Sequence, residues 1–268
     1  MNVRDKGMAL GICHGSNSSE RRRLNVIAFI WSPDSATMRA WQPRVAHRWI
    51  GVGSVSMVIM TNHGSEQRWP EHLGIVDTES GSRIATACLQ RILEPGRRVL
   101  ATEPEATTSL LLFSGFLARA HVLHTSGQAA TDADNPVVSF TLLRAQAENA
   151  AGILYAKDHP KRRGGFLGSQ PYVRIGSITN YAEESTRFGG FKGIYRQLSE
   201  FAHPGPKGML VSSRIAEDNA IAWNSIAPFR TERDRMCAYA WIVELAEASR
   251  HLLFELAVEI DLLAAPSE

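Results

Sequence analysis

The last long segment of the chain limits its fold most. From about Thr231 to Leu263 apolar side chains return every three or four positions, which places Tyr239, Ile242, Val243, Leu252, Leu253, Leu256 and Ile260 near one face of a helix. Such a face must be covered, and the preceding sequence supplies more helices to cover it. Ser80 to Glu94 carries Ile84, Ala87, Cys88, Ile92 and Leu93 with the same period, and its expected stop is Pro95-Gly96. Pro104 is expected to open a second long helix through Leu110, Phe113, Phe116, Leu117, Ala120 and Leu123, fading in "TSGQAATDADNP". Asn135-Pro136 is a capping residue followed by proline at the first helical position, so a third helix is expected from there to Pro160.

"KRRGGFLGSQPYVRIGS", residues 161–177, reads as a Gly-rich basic loop. A fourth helix is expected from about Ser185 to His203, where Pro204 and Pro206 end it. A small β-hairpin is expected around 209–224. The fold class is therefore mainly α, an up-and-down bundle of four to five helices occupying residues 66–268. Glycine-rich phosphate loops, βαβ alternation, internal repeats, a G-x-S-x-G elbow and a reactive Cys–His pair are all missing from the sequence.

Residues 1–65 read differently, as a poorly ordered basic extension with no sustained period. Residues 1–59 hold eight Arg and Lys against three Asp and Glu, which leaves 21 against 24 for the remainder. The three cysteines, Cys13, Cys88 and Cys237, lie far apart and form no C-x-x-C, which fits a reducing cytoplasm. "RRRLNVIAFIW", residues 21–31, has too long a polar lead and no convincing small-x-small cleavage site for a signal peptide. No run reaches the roughly 20 apolar residues of a membrane span, so no membrane partner is expected and the expected location is the cytoplasm.

The polar residues that could carry chemistry gather on two helices. In "GIYRQLSEFAHPGP", residues 193–206, Arg196 and His203 fall about 20° apart around a helix axis, with Ser199 between them. Phe191, Ile194, Leu198 and Phe201 take the opposite side, so this polar triplet is expected to point away from the core. On the third helix Arg144 and Glu148 are four apart and can pair at the border of the apolar arc made by Phe140, Leu143, Ala147, Ala150 and Leu154. From Lys157 to Lys207 nine Arg and Lys face four acids. Lys161, Arg162, Arg163 and Lys192 are the candidate contacts to a phosphate backbone.

The segment "YRQLSEFAHP" resembles the Arg-x(4–6)-His motif of the HEPN superfamily of helical RNases and nucleotide-binding proteins. The likeness covers roughly residues 135–205, and the chain has Gln197 where HEPN enzymes often carry a small polar residue. The resemblance implies metal-independent RNA cleavage, with His203 as general acid or base, Arg196 on the phosphate and Ser199 orienting either group. Arg144, Glu148 and Tyr195 would support them. It further implies a homodimer, an RNA substrate and, for a toxin or defence effector, an antitoxin or other protein partner. The alternative on the same fold is a non-catalytic helical module that binds a protein partner or a nucleotide.

Glu200-x-x-His203 has the spacing found in di-iron bundles. Glu148, Glu244, Glu247 and His251 provide no second Glu-x-x-His, and His121 and His124 lack obvious partners. Neither a metal nor another cofactor is expected. "MTNHGSEQRWPEHL" from Met60 reads as an ordinary start, so the functional chain is expected to begin there, with the first 59 residues arising from an upstream start codon. Mass spectrometry of the natural protein checks this: detection of a peptide from residues 20–50 would refute it.

Overall fold

The computed structural model describes residues 69–264 apart from 103, 186, 189, 204–207, 209–210 and 216–220. The expected N-terminal extension lies outside the described residues. A short helix α1 (Trp69–His72) leads into α2 (Thr78–Leu100), α3 (Thr108–Asp132) and α4 (Pro136–Asp158). A 3-10 turn at Pro160–Gly165 follows, then α5 (Ile175–Glu184) and α6 (Phe191–Ala202). Strands β1 (Ser213–Ile215) and β2 (Ile221–Trp223) precede α7 (Glu232–Glu259). The hairpin pairs Ser213 with Trp223 and Ile215 with Ile221, within the expected range. Among the described residues no helix is long and apolar enough to cross a membrane.

The helix starts follow their capping chemistry. Asp77 accepts from Ser80 N while the Ser80 hydroxyl accepts from Asp77 N, a reciprocal box that opens α2. Thr107 caps α3 and Asn135 caps α4 with Pro136 behind it, and Thr231 caps α7.

Three expected boundaries move. The first helix runs through Pro95-Gly96 to Leu100, because both residues are buried inside the bundle and a Cβ on Gly96 would collide with Leu117. Packing of neighbouring helices there outweighs the backbone bond that proline forfeits. The second helix starts four residues after Pro104, at Thr108, and persists to Asp132. Its small residues Gly127 and Ala130 lie buried, and the buried Thr131 hydroxyl meets the Ser139 hydroxyl of α4 at 2.7 Å. The expected fourth helix starts later than Ser185, at Phe191, and a further helix precedes it. That helix, Ile175–Glu184, takes its first residues from the expected loop and is separated from α6 by a turn ending in left-handed Gly190. The Glu183 carboxylate accepts from Lys192 N and so closes the open start of α6.

Cross-helix neighbours fix the topology. Ala85 lies beside His124 and Gly96 beside Leu117, so α2 and α3 are antiparallel. Thr131 with Ser139 and Phe116 with Asn149 make α3 and α4 antiparallel, and Phe140 with Phe201 does the same for α4 and α6. Arg91 with Glu247 and Lys157 with Glu255 set α7 parallel to both α2 and α4. The bundle is up-down-up-down-up, with α6 as the fourth member packed on α4, and α7 enclosed by α2, α3 and α4.

Backbone approach at the start of α2 generates a test. A Cβ on Gly81 would lie 2.6 Å from the Tyr239 ring, and that ring is fully buried, with its hydroxyl on Asp132. Gly81→Ala should destabilise by about 1–3 kcal/mol despite its better helix propensity. Gly115→Ala on the open side of α3, where a Cβ meets nothing within 4 Å, should stabilise by about 0.5–1 kcal/mol. Urea unfolding of the two variants measures both.

Candidate functional site

The antiparallel pairing of α4 and α6 brings Phe140, Arg144 and Glu148 of α4 against Phe201, His203 and Tyr195. Phe140 and Phe201 stack with centroids 4.4 Å apart and form the apolar floor at one end. Above it the Arg144 guanidinium lies over the Tyr195 ring, 4.9 Å from its centroid. Arg144 Nη2 donates to the Tyr195 hydroxyl at 2.6 Å, and that hydroxyl donates to Glu148 Oε1 at 2.8 Å. Arg144 Nε is 3.2 Å from the same carboxylate oxygen, an ion pair without the alignment of a hydrogen bond. Both side chains are 21% exposed, so the pair is shielded but wetted at its edge. Burial is the main influence on the Tyr195 phenol and raises its pKa. The hydroxyl therefore stays protonated and serves as acceptor and donor at once.

His203 completes the cluster from the exposed side. Its Nε2 lies 3.1 Å from Arg144 Nη1. A guanidinium has only donors, so Nε2 is the acceptor, and the neutral ring carries its proton on Nδ1. The residue is the C-cap of α6, with φ −105° and ψ 155°, and its N–H donates to the Ser199 carbonyl. The imidazole reaches across to Arg144 of α4.

The contacts differ from the expected triplet. His203 is bonded across to Arg144 of α4 and, among the described residues, makes no bond to Arg196. Arg196 is exposed, about 100° around the axis from Tyr195. Among the described residues its side chain has no hydrogen bond or ion pair. The Ser199 hydroxyl donates to the Tyr195 carbonyl at 2.6 Å and so stays on its own helix. Arg144, expected only in support, is the residue that meets His203, and Glu148 and Tyr195 are bonded in turn to Arg144.

The basic candidates lie elsewhere. Lys161 and Arg162 are exposed beyond the end of α4, roughly 20 Å along that helix from Arg144. Arg163 donates to the Ala156 and Lys157 carbonyls and pairs with Glu259, so it closes the C-terminus of α4. Lys192 is exposed at the opposite end of α6, about 16 Å from His203. Among the described residues no three His, Cys, Asp or Glu side chains are gathered to hold a metal ion. His124 of α3 is buried, with Nε2 at 2.8 Å from the Ala85 carbonyl oxygen.

Two polar features of the interior went unread in the sequence. Glu255 is held by Arg187 and Lys157, which ties α7 to α4 and to the turn before α6. Glu244 is bonded to Trp69 at the edge of the core. An acid flanked at i−3 and i+4 by Trp241 and Ala248 was the available signal for the second. Compared with known proteins, the chain matches no family model, no curated protein and no solved structure.

The bridging phenol is the testable element of this cluster. Tyr195→Phe removes both bonds and leaves partly covered charges with fewer partners, so it should cost about 1–3 kcal/mol. Arg196→Ala should stay within about 0.5 kcal/mol of wild type. Thermal or urea denaturation compares them.

Proposed function

We propose that the α4–α6 rim is a metal-independent RNA-cleaving centre of the kind the HEPN-like motif implies, with Arg144 and His203 as its working pair. The observation that carries this reading is the 3.1 Å approach of guanidinium to imidazole at an exposed edge. A phosphodiester reaching that edge would offer Arg144 a better partner than the imidazole, because guanidinium binds phosphate through charge-assisted paired bonds. Release of Arg144 frees the Nε2 lone pair, which then takes the proton of the ribose 2′-hydroxyl. The 2′-oxygen attacks phosphorus, a 2′,3′-cyclic phosphate forms, the bond to the 5′-oxygen breaks, and that oxygen leaves with a proton from solvent. Arg144 stabilises the charge that builds on the phosphorane oxygens. Tyr195 and Glu148 hold the guanidinium in place, and Arg196 serves as an outer phosphate contact. A second copy of the chain, an antitoxin-like protein partner and a cytoplasmic setting belong to this proposal.

One observation favours a different reading. The Nε2 acceptor is already occupied by Arg144 and the Tyr195 hydroxyl links Arg144 to Glu148, as expected of a tie between α4 and α6. On that reading the bundle is a non-catalytic module for a protein or nucleotide. An RNase assay in EDTA separates the two. The nuclease reading expects cleavage that falls at least about 100-fold in His203→Ala and in Arg144→Ala, with both variants folded. Arg196→Ala should lose only a few-fold, through weaker RNA binding. Intact RNA with wild-type protein, together with an early-melting His203→Ala, would establish the binding module.

A further inference from the structure

Glu244 of α7 is a carboxyl group in apolar surroundings. Its Oε1 accepts from the Trp69 indole N–H at 2.8 Å, and the Trp69 ring meets the Trp241 ring edge-on with centroids 5.0 Å apart. Its Oε2 is shielded from solvent and has no protein partner. Glu244 lines a cavity of about 10 Å³ together with Ala147, Phe188, Phe191, Ile194, Trp241 and Leu245, a volume that suits about one water.

The charged and titratable groups on the elements around Glu244 leave it alone. On α1, Glu71 pairs with Arg233, and His72 makes no bond to Glu244. On α2, Arg91 pairs with Glu247, and Cys88 is a buried thiol. Arg144 and Glu148 of α4 pair with each other and with Tyr195 of α6, while Lys192 of α6 is exposed. On α7, Arg250 pairs with Glu94 and Glu247, and Cys237 is a thiol whose pKa burial pushes up to about 11. Among the described residues no cation is left to compensate an ionised Glu244.

We propose that Glu244 is a proton-operated latch beside α1: with its proton it keeps the seam between Trp69 and α7 dry, and without it the carboxylate draws water into the cavity next to that contact. Burial pushes the Glu244 carboxyl up to about 7, opposed only by the Trp69 bond. In the unfolded chain the group titrates near the ordinary glutamate value of about 4.3. The folded state therefore holds a proton that the unfolded state has released. The contribution to stability is complete below about pH 4.5, declines as the pH rises through about 7, and is then lost. Glu71, Asp77, Glu247 and Glu255 are shifted downward and work in the opposite sense, their stabilisation fading in acid.

The test follows the full chain from about pH 5 to pH 8. Glu244→Gln keeps the acceptor for Trp69 and cannot ionise. Its melting temperature relative to wild type should rise by roughly 5 °C across that range. The difference in emission between wild type and Trp69→Phe isolates Trp69, and it should change with a midpoint near 7 and be flat when the same comparison is made in the Glu244→Gln background. Parallel melting curves, or a Trp69 signal that does not respond to pH, would overturn the latch. Should Glu244→Gln fail to fold, infrared spectroscopy of the wild type decides. A protonated-carboxyl C=O band at about pH 6, lost by about pH 8, supports the proposal, and its absence ends it.

Discussion

Enclosure of α7 governs the rest of the structure. Buried residues run round most of its circumference, from Met236 through Tyr239, Trp241, Ile242 and Leu245 to Leu252, Leu253 and Leu256. A helix of that kind cannot lie on a surface and needs neighbours on several sides. Helices α2, α3 and α4 supply three walls, and all of them pack against it. Because α7 runs parallel to α4, the chain has to return along the bundle before α7 begins. Helix α6 makes that return, and its path along α4 is what places His203 beside Arg144.

The acids of α7 follow from the same enclosure. A helix covered on several sides can carry charge only at its seams, and only with a partner there. Glu247 has Arg91 and Arg250, and Glu255 has Arg187 and Lys157. These pairs join α7 to α2 on one side and to α4 and the turn before α6 on the other, so they fix register as well as neutralise charge. Glu244 stands in a seam whose other residues are aromatic or aliphatic, and its one bond comes from an indole.

Periodicity made the bundle legible, because the apolar repeats of α2, α3, α4 and α7 are long and Asn135-Pro136 and Thr231 mark their starts without ambiguity. It failed where local chemistry and packing disagree. Pro95-Gly96 reads as a stop in any isolated peptide, yet Leu117 needs the space a glycine leaves, and the helix continues. The start of α5 is hidden by the Gly-rich loop ahead of it, and no side chain caps it. The Arg144–Glu148 pair was visible from its spacing of four. The partner of His203 was not, because it lies on another helix 59 residues away.

That cross-helix partner separates two ways of using the same residues. Without it, His203 would share a solvated face with Arg196, two groups free of partners and open to any anion. His203 instead joins a cluster already balanced between one guanidinium and one carboxylate, with a phenol between them. Such a cluster can bind an incoming phosphate only by exchanging a partner, and the partner that water reaches most easily is the imidazole. Glu148 and Tyr195 are less exposed and each contacts Arg144 from below. Exchange at the rim thus leaves no bare charge in the interior, since solvent covers the imidazole as it swings away. Glu244 has no such outlet, because its carboxyl is shielded from solvent and holds a single bond, to an indole.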